Sequence, residues 1–273
     1  MSKKRILYIS QEIAPYLPEN NLSKIGRNLP QNIQEKGKEI RTFMPKFGCI
    51  NERRNQLHEV IRLSGMNLII DDNDHPLIIK VASIQPARMQ VYFIDNEDYF
   101  QRKAVLSDKE DNFFEDNDER AIFFCRGVLE TVKKLGWAPD LIHCHGWMTS
   151  LIPFYLKTSY KDEPLFEKSK VVTSIYNDCF EGKLNADFHK KAMMDGVTKE
   201  DLQHFIDPTH QNLCSAAASW SDGVIVGCAE AASLVSSIDN NVPVLDYQGE
   251  DDYIDAFNNF YDEILLEEEV LAQ

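Results

Sequence analysis

The residues of this sequence best suited to chemistry are two histidines and a tryptophan within residues 139–147. An apolar run of strand length, from Leu141 to Cys144, is followed there by a polar corner at His145 and Gly146. In an open parallel sheet, ligands bind outside the carboxyl ends of the strands, so His145 is the first candidate site residue. The alternative is that His145 caps the next helix or packs under a loop.

Other chemistries find less support in the residue spacing. Alternation along a strand places only His143 and His145 on one face, and no further ligand pair has a recognisable spacing, so we predict no metal site. Ser, Cys and His residues occur, but a Gly-x-Ser-x-Gly nucleophile motif does not. Cys144 and Cys228, in or near apolar runs, are interpreted as small core residues. The carboxylates of residues 108–119 are interpreted as solvent-exposed.

The elements that position the corner alternate between strands and helices. We predict strands at residues 4–10, 40–44, 141–144, 170–174 and 223–226, and helices at 22–35, 118–135, 149–158, 199–218 and 229–236. Three short strands at 57–63, 77–82 and 91–94 suggest a hairpin-type insertion, followed by a long surface loop at 96–119. The alternation predicts an α/β fold with a doubly wound parallel sheet and helices on both faces.

Length and cysteine usage indicate the size of the core and the cellular compartment. The chain has 273 residues, 43% of them hydrophobic, which is enough for one large core without disulfides. Its six cysteines include no C-x-x-C pair, and the start of the sequence lacks the apolar stretch of a signal peptide. No run of residues is long and uncharged enough to span a membrane. We therefore expect a reduced, cytoplasmic protein.

Charge is distributed unevenly along the chain. The net charge is -15, and no Lys or Arg follows Lys199, whereas Asp and Glu are frequent there. An acidic field of this size repels phosphate backbones and anionic lipids, so nucleic acid and membrane partners are not expected. The acidic quarter is interpreted as a solvated face, with a docking surface for a basic partner as the alternative.

Several separated motifs resemble those of the bacterial glycogen synthase and plant starch synthase family. The resemblance runs from about residue 4 to about residue 236, and its motifs are residues 10–16, 29–30, 43–48, 99–102, 117–126, 139–147, 155–157 and 174–177. Members of this family are retaining glucosyltransferases that use a nucleotide-activated glucose and have two Rossmann-like domains, the GT-B fold. The resemblance implies that this chain has the Rossmann-like fold of the N-terminal domain.

The loop that approaches the sugar nucleotide in the family departs from the family pattern. Where the family resembles Ala-Lys-Thr-Gly-Gly-Leu-Gly-Asp, this chain has Leu-Pro-Glu-Asn-Asn-Leu-Ser-Lys, from residue 17 to residue 24. Pro18 replaces the lysine and offers neither a cation nor a backbone N–H. Asn20 and Asn21 replace glycines that allow close approach of a ligand, and Glu19 adds negative charge where phosphate would lie. Lys24 replaces the aspartate.

Two further departures fall at strand ends. The family's His-x-His-Asp-Trp becomes His-Cys-His-Gly-Trp, which keeps His145 and Trp147 but replaces the neighbouring carboxylate by glycine. The family's Thr-x-His-Asn becomes Ser-Ile-Tyr-Asn, which loses a histidine and keeps Asn177. The resemblance implies a carbohydrate-facing cleft formed by Glu12, Tyr16, His145, Trp147 and Asn177.

These departures favour a catalytically impaired homologue that binds glucan or a protein partner, and no catalytic residue is assigned. The family's C-terminal domain supplies the cations that stabilise the departing diphosphate, and we expect this donor-binding domain to be absent. One alternative is a glucosyltransferase that uses ADP- or UDP-glucose and is completed by a separately encoded donor domain. Another is a structural or oligomerisation protein without a ligand. No cofactor is expected; the expected partners are an α-glucan or nucleotide sugar, a protein, or a second copy of this chain.

We expect the C-terminal segment to form a second unit. We expect a Rossmann-like domain at residues 1–240 and an acidic helical tail at 241–273. Within the tail, residues 251–271 carry apolar side chains at roughly helical spacing. A helix of this kind needs an apolar surface to rest on, which we expect to be this domain or a second copy of it.

Overall fold

The computed structural model describes residues 3–236 and 242–271. Its strands are β1 (Arg5–Ser10), β2 (Glu39–Pro45), β3 (His58–Glu59), β4 (Met66–Ile70), β5 (Asn73–Ile84), β6 (Met89–Asp95), β7 (Leu141–His145), β8 (Lys170–Ile175), β9 (Gly223–Val226) and β10 (Val244–Leu245). Its helices are α1 (Asn21–Glu35), α2 (Glu97–Phe100), α3 (Asn117–Leu135), α4 (Leu151–Lys157), α5 (Phe188–Lys191), α6 (His210–Ser219), α7 (Ala232–Val235) and α8 (Tyr253–Leu271).

Across the described residues, the strands form one sheet in the order β10-β9-β8-β7-β1-β2-β6-β5-β3, with β4 paired to β5. The strands from β10 to β6 run parallel, and β5 adds to β6 in the antiparallel sense. Seven neighbouring parallel strands with helices between them confirm the doubly wound α/β fold. An antiparallel addition at one edge is present, formed by β4 and β5. The strand expected at 91–94 is not part of it, because β6 pairs in parallel with β2 in the main sheet.

Helices cover both faces of the sheet, as strand alternation requires. Leu7 and Ile9 of β1 join the core that includes α3, α4 and α6. Ile6 and Tyr8 point to the opposite face, where they pack with α1 and α8. The β7 residues alternate in the same way, so Cys144 and the two histidines that flank it lie on opposite faces of the sheet.

Helix α8 rests its apolar stripe directly on the sheet. Five of its side chains are buried in the core shared with β1, β7, β8, β9 and α1, namely Phe257, Phe260, Tyr261, Ile264 and Leu265. Two of its acidic side chains pair with lysines of the turn that follows α1, since the Lys38 ammonium lies 2.9 Å from Asp262 and Lys36 pairs with Asp255. The expected boundary at residues 240 and 241 lies outside the described residues.

Four sequence-based expectations about local structure were wrong. Only His58–Glu59 of the strand expected at 57–63 is extended, while β4 was missed. The loop expected at 96–119 contains α2, which begins at the side-chain cap Asn96. The helix expected at 199–218 is a 3₁₀ turn followed by α6, because Pro208 lacks an N–H and Thr209 caps a new helix. The helix expected at 149–158 begins only at Leu151, after a 3₁₀ turn at residues 147–149.

Candidate functional site

The carboxyl ends of β1, β7 and β8 lie side by side. Ser10 is in register with His145, and His145 is in register with Ser174. The segments that follow these strands therefore converge at one edge of the sheet, as expected for an open parallel sheet. This edge brings together Glu12, His145, Trp147 and Asn177, four of the five residues that the family resemblance places around a carbohydrate.

The two histidines of β7 belong to a buried polar network under α8. Their ring centroids are 3.8 Å apart, and both side chains are fully buried. His143 Nδ1 lies 2.6 Å from the Tyr261 hydroxyl, and its Nε2 lies 2.7 Å from Ser174 Oγ. His145 Nδ1 lies 2.8 Å from the Tyr176 hydroxyl. Helix α8 therefore seals this part of the sheet with a direct hydrogen bond to β7.

Burial determines the charge of both histidines. It lowers the pKa of His145 to about 3 and lowers the pKa of His143 well below its usual value, with a smaller contribution from the His145 charge. Both rings are therefore neutral at neutral pH. His145 Nε2 has no hydrogen-bond partner among the described residues. In this arrangement the pair is a structural network, rather than an exposed acid or base.

Two other expected site residues are also buried. The Trp147 ring packs against Phe180 with ring centroids 4.9 Å apart, and the Tyr16 ring packs edge-on against Phe93 at the same distance. Tyr16 therefore lies in the core beside β6. Asn177 is exposed, and its backbone N–H donates to Cys228 Sγ over 3.2 Å.

Glu12 is tied to the start of α1. Asn20 caps this helix by accepting a hydrogen bond from the Ser23 N–H, and its side-chain amide donates to Glu12 Oε2 over 2.6 Å. Burial raises the pKa of the Glu12 carboxyl, and the Asp178 charge raises it further, against the lowering effect of Asn20. The N-terminus of α1, which could otherwise attract an anion, is thus occupied by the protein's own cap.

A carboxylate from another segment lies beside Gly146. Asp178 Oδ2 accepts a hydrogen bond from the Trp147 N–H over 3.0 Å, and a Cβ built at Gly146 would lie 3.1 Å from the same oxygen. Gly146 also has a φ of +86°, which favours glycine. Asp178 was not identified from the sequence, although a carboxylate next to Asn177 was a signal that could have suggested it.

A cleft of about 490 Å³ lies between α1 and the segment leading into α8. One side is lined by Glu19, Asn21 and Lys24, which belong to the loop at residues 17–24. Three aromatic residues line the other side, namely Tyr247, Tyr253 and Phe257. This second wall was not predicted from the sequence, although the concentration of aromatic residues within an otherwise acidic stretch was a signal for it.

The fold and the motif positions define the class of this protein. Residues 5–232 match the family described as the starch synthase catalytic domain, so the chain belongs to that family.

Glycogen synthases are among its relatives. The chain is 39% identical over 195 residues to a glycogen synthase of Chlorobium luteolum, covering 71% of this chain and 40% of the relative. It is 40% identical over 174 residues to a glycogen synthase of Chlorobaculum tepidum, covering 63% and 36%. The match thus spans about two fifths of the length of these relatives.

A solved structure shares the fold. The catalytic domain of starch synthase IV from Arabidopsis thaliana, bound to ADP and acarbose, superimposes with a TM-score of 0.68. It is 21% identical in sequence, and the match covers 82% of this chain and 45% of the other. The likeness supports the expected GT-B type of N-terminal domain.

Two further observations concern membrane-spanning helices and metal sites among the described residues. No helix among them is sufficiently long and apolar to cross a bilayer. Within residues 3–236 and 242–271, no group of three or more His, Cys, Asp or Glu side chains is arranged to bind a metal ion.

Proposed function

We propose that this chain is a catalytically impaired member of the starch synthase catalytic domain family that binds α-glucan without transferring glucose. The cleft between α1 and the segment leading into α8 is the proposed binding site. The observation that carries the proposal is the composition of this cleft. One wall is formed by the loop at residues 17–24, and the facing wall is aromatic. The expected carbohydrate residues Glu12, His145, Trp147 and Asn177 lie at the neighbouring strand ends.

The charges of the cleft favour a neutral ligand. Lys24 and Arg27 are its two cationic lining residues, and Glu19 and Glu250 are its two anionic ones, so the formal charges cancel. A nucleoside diphosphate sugar brings a charged diphosphate, whose departure needs positive groups aimed at it. Pro18 supplies no such group, and Asn20 caps the helix that begins beside it. The two cations of the cleft are thus offset by its two anions, an arrangement that does not favour the departure of a diphosphate.

The polar and aromatic lining suits a sugar. Asn28, Asn32 and Gln248 offer amide donors and acceptors that match hydroxyl groups, and Tyr247 and Tyr253 present hydroxyls on apolar rings. Binding sites for small ligands combine such apolar surfaces with a few convergent polar groups. A relative whose solved structure contains acarbose is consistent with this class of ligand.

Calorimetric titration with maltoheptaose, ADP and ADP-glucose tests the binding. We expect maltoheptaose to bind and Tyr247→Ala to weaken its binding by about tenfold, since a lost aromatic contact costs about 1 kcal/mol or slightly more. Tyr247 is 45% exposed, so its truncation spares the core. The matched control is Ile61→Ala, which truncates an exposed side chain outside the cleft and should bind normally. Equal weakening by both variants would contradict the proposed site.

An assay of glucose transfer from ADP-glucose or UDP-glucose to glycogen tests the impairment. We expect no turnover by the chain alone, and turnover would overturn the proposal. Turnover that appears only when a second polypeptide is added would replace it with a two-chain transferase. Failure to bind any carbohydrate, together with a dimer in light scattering, would favour an oligomerisation role.

A further inference from the structure

A cysteine, a histidine and an aspartate meet beside the segment that follows β8. Cys179 Sγ lies 3.5 Å from His210 Nδ1, and His210 Nε2 lies 3.1 Å from Asp178 Oδ1. The cysteine is exposed, whereas His210 is 6% exposed and begins helix α6. A thiol, an imidazole and a carboxylate in this order form the arrangement of a nucleophile, its base and the group that orients the base.

The hydrogen bonds assign the imidazole tautomer. Because the Asp178 carboxylate can only accept, His210 Nε2 carries the hydrogen and Nδ1 presents its lone pair to the Cys179 thiol. Asp178 is itself held in place, since its second oxygen accepts from the Trp147 N–H. The His210 ring also packs edge-on against Phe180, with centroids 5.9 Å apart. The base is therefore positioned from two sides.

A cavity of about 420 Å³ opens at the thiol. Its wall includes Cys179 and His210, together with apolar and polar side chains, among them Phe180, Leu234, Asn177 and Glu230. In the resting site the thiol donates to Asn177 Oδ1 over 3.1 Å, so its hydrogen must rotate towards His210 Nδ1 before the proton is transferred. The thiol, the base and a polar amide thus face one volume that can admit a small molecule.

We propose that Cys179 is a nucleophile for small carboxylic esters, with His210 as its general base and Asp178 as a positioning residue. This site is separate from the cleft between α1 and the segment leading into α8, and it does not depend on glucan binding. Burial, with the Asp178 charge adding to it, raises the pKa of the Cys179 thiol. The resting thiol therefore keeps its proton until His210 accepts it.

The reaction proceeds in two balanced steps. The Cys179 thiol passes its proton to His210 Nδ1 while its sulfur forms a bond to the ester carbonyl carbon. The bond from that carbon to the alcohol oxygen breaks, and the alcohol takes the proton from His210. Water then attacks the thioester and passes a proton to His210, the carbon–sulfur bond breaks, and the sulfur recovers the proton. The net change is ester plus water to carboxylic acid plus alcohol.

Acylation by p-nitrophenyl acetate tests the proposal on the full chain. We expect a burst of p-nitrophenolate and an acetyl group on Cys179 by mass spectrometry. Cys179→Ala should abolish both, and His210→Gln should slow acylation by about 10²-fold or more. Asp178→Asn should lower kcat with little change in KM. The matched control is Cys49→Ala, since Cys49 is also an exposed thiol and should be dispensable. A burst that survives Cys179→Ala would overturn the proposal.

Alkylation of the unaltered protein tests the same assignment without a variant that could misfold. Under limiting iodoacetamide at pH 7.5, we expect Cys179 of the unaltered protein to be alkylated at least tenfold faster than Cys49. The reason is that His210 can accept the thiol proton at Cys179, while the charged groups that act on the Cys49 thiol among the described residues are Lys46, Arg120 and Glu12. Equal alkylation rates at the two cysteines would contradict the assignment of His210 as a base.

Discussion

Lowering the pH from 8 to 5 should destabilise the protein through His145. This ring is fully buried, and burial lowers its pKa to about 3. In the unfolded chain its pKa returns to about 6.5. Between these two values the unfolded chain binds a proton that the folded protein does not bind. The stabilisation is therefore complete above about pH 6.5 and is lost as the pH falls towards 3.

The magnitude follows from the two pKa values. At pH 5 the unfolded state gains about 2 kcal/mol from protonation of His145, while the folded state gains almost nothing. His143 acts in the same direction, because burial also lowers its pKa. Buried carboxyls with raised pKa values, such as Glu12 and Asp95, act in the opposite direction. The contribution of His145 must therefore be measured as a difference between two proteins.

Urea unfolding of the unaltered protein and of His145→Asn provides this difference. The asparagine amide can replace Nδ1 as the partner of the Tyr176 hydroxyl, and it does not titrate. Between pH 8 and pH 5 we expect the free energy of unfolding to fall by about 2 kcal/mol more in the unaltered protein than in the variant. Parallel pH profiles for the two proteins would refute the assignment of a buried, neutral His145.

Two further predictions concern packing and use thermal unfolding. Phe257→Ala should cost about 3–5 kcal/mol because it leaves a cavity under α8. Leu266→Ala on the same helix should change stability by less than about 0.5 kcal/mol, since Leu266 is 56% exposed. Gly227→Ala should cost about 1–3 kcal/mol, because its Cβ would lie 2.5 Å from the Tyr176 ring. Gly249→Ala meets no atom within 4 Å and should be neutral.

The strands and helices with strong periodicity were predictable from the sequence. The buried parallel strands β1, β7, β8 and β9 coincide with short apolar runs, and α3 coincides with an apolar stripe followed by Gly136. Strand β4 escaped prediction because it lies at the edge of the insertion, where exposed and buried residues alternate over only five positions. Pro208 is the signal in the sequence for the break before α6.

The candidate site was only partly predictable. Register between parallel strands explains why the residues after β1, β7 and β8 meet, and that convergence follows from the fold class. The covering of His145 by Tyr176 and α8 could not be predicted, because it depends on contacts between Tyr261 and His143, which are 118 residues apart. The same holds for the contact of His210 with Asp178, which joins the start of α6 to the segment after β8 across 32 residues.

The departures from the family pattern at the strand ends are coupled, and this coupling leads to a final prediction. Tyr176 bonds to His145, while the Asp178 carboxylate lies next to Gly146. Reverting one position alone, by Gly146→Asp, would place a Cβ 2.9 Å from that of Gln11 at a φ of +86° and add a second carboxylate beside Asp178. We therefore expect Gly146→Asp to lower the melting temperature and to yield no glucose transfer. A stable variant would show that the corner is adaptable, and a variant that transfers glucose would show that one missing carboxylate is the cause of the proposed impairment.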